Sequence, residues 1–137
     1  VINRHESYCT NEVKRILKPG GIFVTQQVGG KNNEILSRRL IKGFAPQFDS
    51  NNLCCVSEEL ERTSFEILYG NEYFPYLRFF DVGAIVYLAK IIEWEFPGFS
   101  VEGCFDELCS LHEELKTKPF IESIEHRFVI AARNIKA

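Results

Sequence analysis

The sequence predicts an α/β fold, and three observations carry that expectation. First, Val1-Ile2-Asn3 reads as the end of a strand, Thr10 to Leu17 as a short helix and Ile22 to Val28 as a buried strand rich in β-branched residues. Joined by Lys18-Pro19-Gly20-Gly21, they make a βαβ unit, whose crossover is right-handed. Second, helix-like and strand-like segments keep alternating towards the C-terminus. Third, the 137 residues are 45% hydrophobic and 26% charged with a net charge of −3. That suits one domain able to bury a core and excludes global disorder.

Each element follows from local signals. Val13, Ile16 and Leu17 give the first helix its apolar stripe, with Thr10 as the expected cap. Glu12 sits in its positive first turn, and Lys14, Arg15 and Lys18 crowd its negative end. After Gly29-Gly30-Lys31 a helix is expected from Asn33 to about Lys42, ended by Gly43. Ala45 to Cys55 reads as loop, and Ser57 as the cap of a short helix opened by Glu58 and Glu59. Phe65 to Phe80 reads as one strand, or two broken near Gly70 or Pro75. Asp81 is placed to cap an apolar helix from Val82 to Ile92, and an aromatic loop with Trp94, Phe96, Pro97 and Phe99 follows. Gly103 to Lys116 is amphipathic, with Phe105, Leu108, Leu111 and Leu115 on one face. Within Phe120 to Asn134, Arg127 to Ala132 is the most strand-like part.

Several classes drop out. The longest uncharged apolar run, Val82 to Ala89, is far short of the ~20 residues of a spanning helix, so no membrane partner is expected. No basic start with an apolar stretch marks a secretory signal. Five cysteines at irregular positions, with no CxxC pair, indicate neither a disulfide framework nor a zinc site, and a cytoplasmic location is expected. Residues 1–48 hold 8 Lys/Arg against 3 Asp/Glu, and residues 49–137 hold 8 against 16. The basic third is not interleaved with aromatics, so no nucleic-acid partner is expected.

Motifs for other chemistry are incomplete. A phosphate loop needs Ser or Thr after its Lys, but Lys31 precedes Asn32, and Thr25 stands where the upstream Gly belongs. His112-Glu113 lacks the second His of a zinc-protease helix, and His5 with Cys9 gives only two ligands, so no metal is expected. His126, ahead of a strand, reads as structural. Gln26 and Gln27 are polar residues in an otherwise apolar strand and call for polar partners or water.

The most informative stretch is Val1-Ile-Asn-Arg-His-Glu-Ser, then Glu12-Val-Lys-Arg-Ile-Leu-Lys-Pro-Gly-Gly21, then Phe23-Val-Thr-Gln-Gln-Val28. It resembles the region from the fourth to the fifth strand of class I S-adenosylmethionine-dependent methyltransferases. The R-x-L-K-P-G-G turn is moderately specific; N-R-H-E and T-Q-Q-V look like one bacterial subgroup. Phe80-Asp-Val-Gly-Ala84, Trp94-Glu-Phe-Pro-Gly-Phe99 and His126-Arg-Phe-Val-Ile-Ala-Ala-Arg133 extend the resemblance over essentially the whole chain.

The resemblance implies the later strands of a seven-stranded, Rossmann-like methyltransferase sheet: the C-terminal half of such a domain, inactive as this fragment. The Val1 start and the absence of methionine suit a piece of a longer protein. It places Asn3, Arg4 and His5 beside S-adenosylmethionine, His5 and Glu6 as the titratable pair for acid–base work, and Gln26, Gln27, Tyr73 and Trp94 around the methyl acceptor. The acceptor itself stays unknown. The family's glycine-rich loop and ribose-binding carboxylate are absent from these residues, so the chain alone is not expected to bind the cofactor, and the missing N-terminal half becomes the expected partner. The family's strand order puts residues 127–132 antiparallel between 22–28 and the strand near 66–80. A sheet edge at residues 1–3 and 22–28 predicts a homodimer or a swapped arrangement. The alternatives are a non-catalytic α/β binding or assembly module and, less well matched, a nucleotide-binding α/β domain.

Overall fold

A computed structural model describes residues 1–135. In chain order it holds β1 (Ile2–Arg4), α1 (Thr10–Ile16), β2 (Ile22–Val28), α2 (Glu34–Leu40), α3 (Leu53–Arg62), β3 (Phe65–Tyr73), β4 (Tyr76–Phe79), α4 (Val82–Ile91), α5 (Phe105–Leu115), β5 (Ile121–Ile124) and β6 (Arg127–Asn134). The fold is α/β, with a mixed sheet and flanking helices. The chain packs as two compact units, one of residues 1–30, 47–74 and 126 onwards, the other of residues 31–46 and 75–125.

The first unit is built on a four-stranded sheet of order β1-β2-β6-β3. β1 runs parallel to β2, with Asn3 opposite Thr25. β6 runs antiparallel to both β2 and β3, with Gln26 opposite Val129 and Tyr73 opposite Arg127. The expected insertion of the last strand is therefore observed. The edge expectation needs correction: β6 pairs with the whole of β2 on one side and β1 covers residues 24–26 on the other, so the outer edge there belongs to β1, beside the uncovered ends of β2. β3 carries a register shift between Ile67 and Tyr69.

Phe23, Phe65, Phe128, Ile130, Ala132, Val13, Val56 and Leu60 form this unit's core. Phe128, Ile130 and Ala132 alternate along β6, Val56 and Leu60 lie four residues apart on α3, and Val13, Phe23 and Phe65 come from α1, β2 and β3. Asn134, fully buried, closes α1: its side-chain amide donates to Leu17 O (3.2 Å) and Lys14 O (3.4 Å). Its backbone carbonyl accepts from Gly20 N (2.8 Å), and its N–H donates to Gly21 O (2.9 Å). The Pro-Gly-Gly turn can do this because Gly20 takes a positive φ of 74°, open to glycine without strain.

Two caps differ from expectation. Thr10 is buried as the first residue of α1, and its hydroxyl donates to Glu59 Oε1 (2.7 Å) rather than capping; Cys9 is the N-cap. α3 starts four residues before Ser57. Asn52 caps it, its Oδ1 accepting from Cys55 N (2.9 Å), and Leu53, Val56 and Leu60 are its inward stripe. The Cys54-Cys55 pair hid that stripe inside an apparent loop.

The second unit has the two-stranded antiparallel sheet β4-β5 and helices α2, α4 and α5. Pro75, which has no N–H to give a ladder, marks the break between β3 and β4. Asp81 caps α4 as expected, accepting from Ala84 N (2.8 Å). Leu36, Leu40, Phe79, Ile85, Ala89, Phe96, Leu108, Leu111 and Ile121 fill the core. Phe105, expected on the inward face of α5, is exposed; the helix buries Leu108 and Leu111 instead. α2 is shorter than expected and begins at Glu34, because Asn33 sits in the left-handed region at φ 54°.

A polar clamp orders the loop after α4. The Glu95 carboxylate accepts from Asn32 Nδ2 (2.7 Å) and Asn33 Nδ2 (2.8 Å), and Ser37 Oγ donates to Glu95 O (2.8 Å). Asn33 Oδ1 in turn accepts from the buried Ser123 hydroxyl (2.8 Å).

Candidate functional site at the carboxyl ends of β1 and β2

Ligands of open α/β sheets sit beyond the carboxyl ends of parallel strands. Here those ends belong to β1 and β2, and they carry a connected polar group. Thr25 and Gln27 lie two residues apart and so share one face of β2, while Asn3 lies opposite Thr25 on β1. The fully buried Thr25 hydroxyl donates to Asn3 Oδ1 (2.8 Å). Gln27 Nε2 faces Asn3 Oδ1 (2.7 Å), Thr25 Oγ1 (2.8 Å) and the Glu6 carbonyl (3.0 Å). Every contact consumes Gln27 Nε2 or Asn3 Oδ1, so Asn3 Nδ2 and Gln27 Oε1 are the amide ends left to meet solvent or a ligand.

The chain after β1 turns sharply at His5, whose φ is 53° and whose N–H donates to Gln26 O (2.8 Å). Glu6 Oε1 accepts from Ser7 N (3.0 Å) and Ser7 Oγ (3.3 Å). Arg4, His5 and Glu6 are all exposed. Asn3, Gln27 and the Glu6 backbone are thus brought together, with His5 in the same turn. Gln26 alternates to the other face of β2 and joins this group only through its carbonyl. Tyr73 ends β3, 40% exposed, and Trp94 belongs to the second unit, 57% exposed.

Gly29 and Gly30 are no phosphate cradle. A Cβ on Gly29 would collide with the His126 ring, and one on Gly30 with the Phe48 carbonyl, so the glycines exist for close packing of the protein on itself. His126 is 2% exposed, stacks on Phe74 with ring centroids 4.6 Å apart, and pairs its Nε2 with Glu72 Oε1 (2.8 Å). The same oxygen accepts from Leu53 N at the start of α3 (3.1 Å). Among the described residues no three His, Cys, Asp or Glu side chains group to hold a metal.

Thr25 stands in the sequence as part of T-Q-Q-V and as a non-glycine in a phosphate-loop pattern, and neither reading gives it a role at the site. The signal was present: Thr25 and Gln27 are polar at alternate positions of a buried strand, and polar side chains on one face need a common partner.

One nearby group has a displaced titration. Tyr8 packs edge-on to Phe23 with centroids 4.9 Å apart, and its hydroxyl is pushed up to about 12 by burial first and by the Glu59 carboxylate second.

No protein-family model matches the sequence. No curated protein matches it. Among solved structures, a protein of Bacillus halodurans provisionally described as a methyltransferase aligns with 93% of this chain at 13% identity and a TM-score of 0.48. The cyclase SpnF aligns with 93% at 16% identity and a TM-score of 0.42. This chain spans 57% of the first protein and 43% of the second.

Proposed function

We propose that this chain forms the later strands of an S-adenosylmethionine-dependent methyltransferase and supplies the acceptor side of its active edge. The observation that carries the reading is β6, antiparallel between β2 and β3, next to a parallel β1–β2 pair. That is the strand order implied by the N-R-H-E, L-K-P-G-G and T-Q-Q-V resemblance.

These residues do not make a cofactor cradle by themselves: among the described residues, the Gly29-Gly30 pair past β2 is packed shut against His126 and Phe48. In this reading the glycine-rich loop and the ribose carboxylate belong to residues other than these 137. S-adenosylmethionine, when bound, supplies an electrophilic methyl group for direct displacement. This chain's part is positioning. Asn3 offers an N–H donor and Gln27 a carbonyl acceptor from fixed amides, and Arg4, opposite Gln26, adds a positive charge on the other face of the strand pair. His5 and Glu6, next to it, are the pair proposed for acid–base work. Tyr73, at the end of β3 in the same unit, is the aromatic group proposed for the acceptor.

The test is binding of radiolabelled S-adenosylmethionine to a polypeptide that also carries the residues encoded ahead of Val1. Asn3→Ala is expected to weaken it by about tenfold, the value of one hydrogen bond to a charged ligand. Unchanged affinity would remove Asn3 from the cofactor's surroundings.

A further inference from the structure

The outer face of the β4–β5 ribbon breaks the usual pattern of an antiparallel sheet. One face of such a sheet packs on the core and the other meets water, so apolar and polar side chains alternate along each strand. The inner positions comply: Phe79 and Ile121 are buried in the core of the second unit, Leu77 packs against that core and Ser123 is buried. The outer positions are Tyr76 and Arg78 on β4, opposite Ile124 and Glu122 on β5, with Phe80 and Phe120 just beyond the paired residues. Four of these six side chains are apolar, where water-facing positions call for polar ones. Tyr76 is 66% exposed and Phe80 71%.

The face is ordered in advance. The Arg78 guanidinium lies over the Phe120 ring, 4.3 Å from its centroid, and 5.9 Å from the centroid of Tyr76. Phe80 meets Phe120 edge-on, with centroids 6.3 Å apart. Arg78 Nε donates to Glu122 Oε2 (3.1 Å). Side chains already held in a row lose little freedom when a partner arrives, which lowers the cost of association. A contiguous exposed apolar surface rimmed by polar groups marks an interaction site.

Charge and area select the partner. The face carries one cation and one carboxylate side by side, so it favours neither a strongly acidic nor a strongly basic partner, and it is complementary to itself. In a two-fold interface every contact between two different residues occurs twice. We propose that this face joins two copies of the chain about a two-fold axis, Arg78 of each copy reaching Glu122 of the other while the Tyr76, Phe80 and Phe120 rings pack across the axis. An aromatic side chain buries about 150–250 Å², so the face offers on the order of 500 Å² per copy and about 1,000 Å² for the pair. That is the lower limit for a specific contact, so a weak dimer with a Kd of about 100 μM is expected. The proposal stands on the second unit alone, does not depend on the methyl-transfer reading and uses a different surface from the β1 edge.

The experiment is sedimentation equilibrium of the whole chain from about 10 μM to about 1 mM, a tenfold margin on either side of the expected Kd. Reductant is kept present because four of the five cysteines are exposed. A monomer–dimer equilibrium is expected. Phe80→Glu should leave only monomer, and Arg78→Glu should weaken association about tenfold or more by setting like charges against each other. Combining Arg78→Glu with Glu122→Arg should restore the parent Kd, because the pairing is reversed in both copies. Ile2→Glu, at the exposed β1 edge, should change nothing. All four positions are exposed, so the fold is kept. A monomer throughout the range would overturn the proposal. So would a dimer that Ile2→Glu abolishes and Phe80→Glu leaves intact, or a double variant as weak as Arg78→Glu alone.

Discussion

The hydroxyl of Thr25 lies 2.8 Å from Asn3 Oδ1 and donates its proton to it across the parallel β1–β2 pair. One buried side chain thereby sets which end of the Asn3 amide faces outward. Gln27 Nε2, 2.8 Å from the same hydroxyl, is set the opposite way. The result is a donor and an acceptor at the edge where an α/β sheet meets its ligands.

Thr25→Val keeps the shape and removes both hydrogen bonds. It is expected to destabilise the chain by about 1–2 kcal/mol, while Thr25→Ser, which keeps the hydroxyl, recovers the polar part of that loss. Urea denaturation of the three proteins measures it. Equal stability of the Val variant would mean that the network contributes nothing to the fold.

Gly29→Ala should be among the most damaging single-methyl additions. The new Cβ would enter the space of the buried His126 ring, which is held by Phe74 on one side and Glu72 at Nε2. Overpacking of this kind costs about 1–3 kcal/mol. Thermal unfolding should show a clear fall in Tm, and an unchanged Tm would mean that the ring can move aside.

The α/β class, β2 to the residue and the Asp81 cap were legible because each rests on a local signal, β-branched runs or an Asp before an apolar helix, while the place of β6 in the sheet followed from the strand order that the resemblance implies. What was not legible depended on distant partners. Thr10 looks like a cap until Glu59, far along the chain, takes its hydroxyl. Residues 24–26 look like part of an edge until β1 pairs with them. At the candidate site, the polar character of Gln27 was visible, but its tie to Asn3 through Thr25 needs the β1–β2 register. Gln26 and Gln27 could not be ranked without knowing which face β1 shares.

Glu95→Gln tests the clamp in the second unit. It changes no volume, but it turns one accepting oxygen into an N–H₂ group facing the Asn32 or Asn33 amide donor. A loss of about 1–3 kcal/mol is expected, because a buried donor is left facing a donor. A neutral substitution in denaturant titration would contradict the hydrogen bonds as assigned.

Tyr8 makes alkaline stability testable. Its folded value, about 12, lies above the ordinary 10.0, so folding favours the protonated phenol. That contribution is complete below about pH 10 and is lost as pH rises towards 12. Tyr8→Phe should flatten the fall in stability across that window relative to the parent chain. Parallel curves would show that Tyr8 titrates normally.

The most direct test of the account is calorimetric titration with S-adenosylmethionine of the 137-residue chain alone and of a polypeptide that adds the residues encoded ahead of Val1. The chain alone brings the Asn3–Gln27 edge but no glycine-rich cradle, and each missing hydrogen bond to a charged ligand is worth about 1.5–3 kcal/mol. No heat of binding is expected for the chain alone, and saturable binding for the longer polypeptide. Micromolar binding by the chain alone, or none by either, would contradict it.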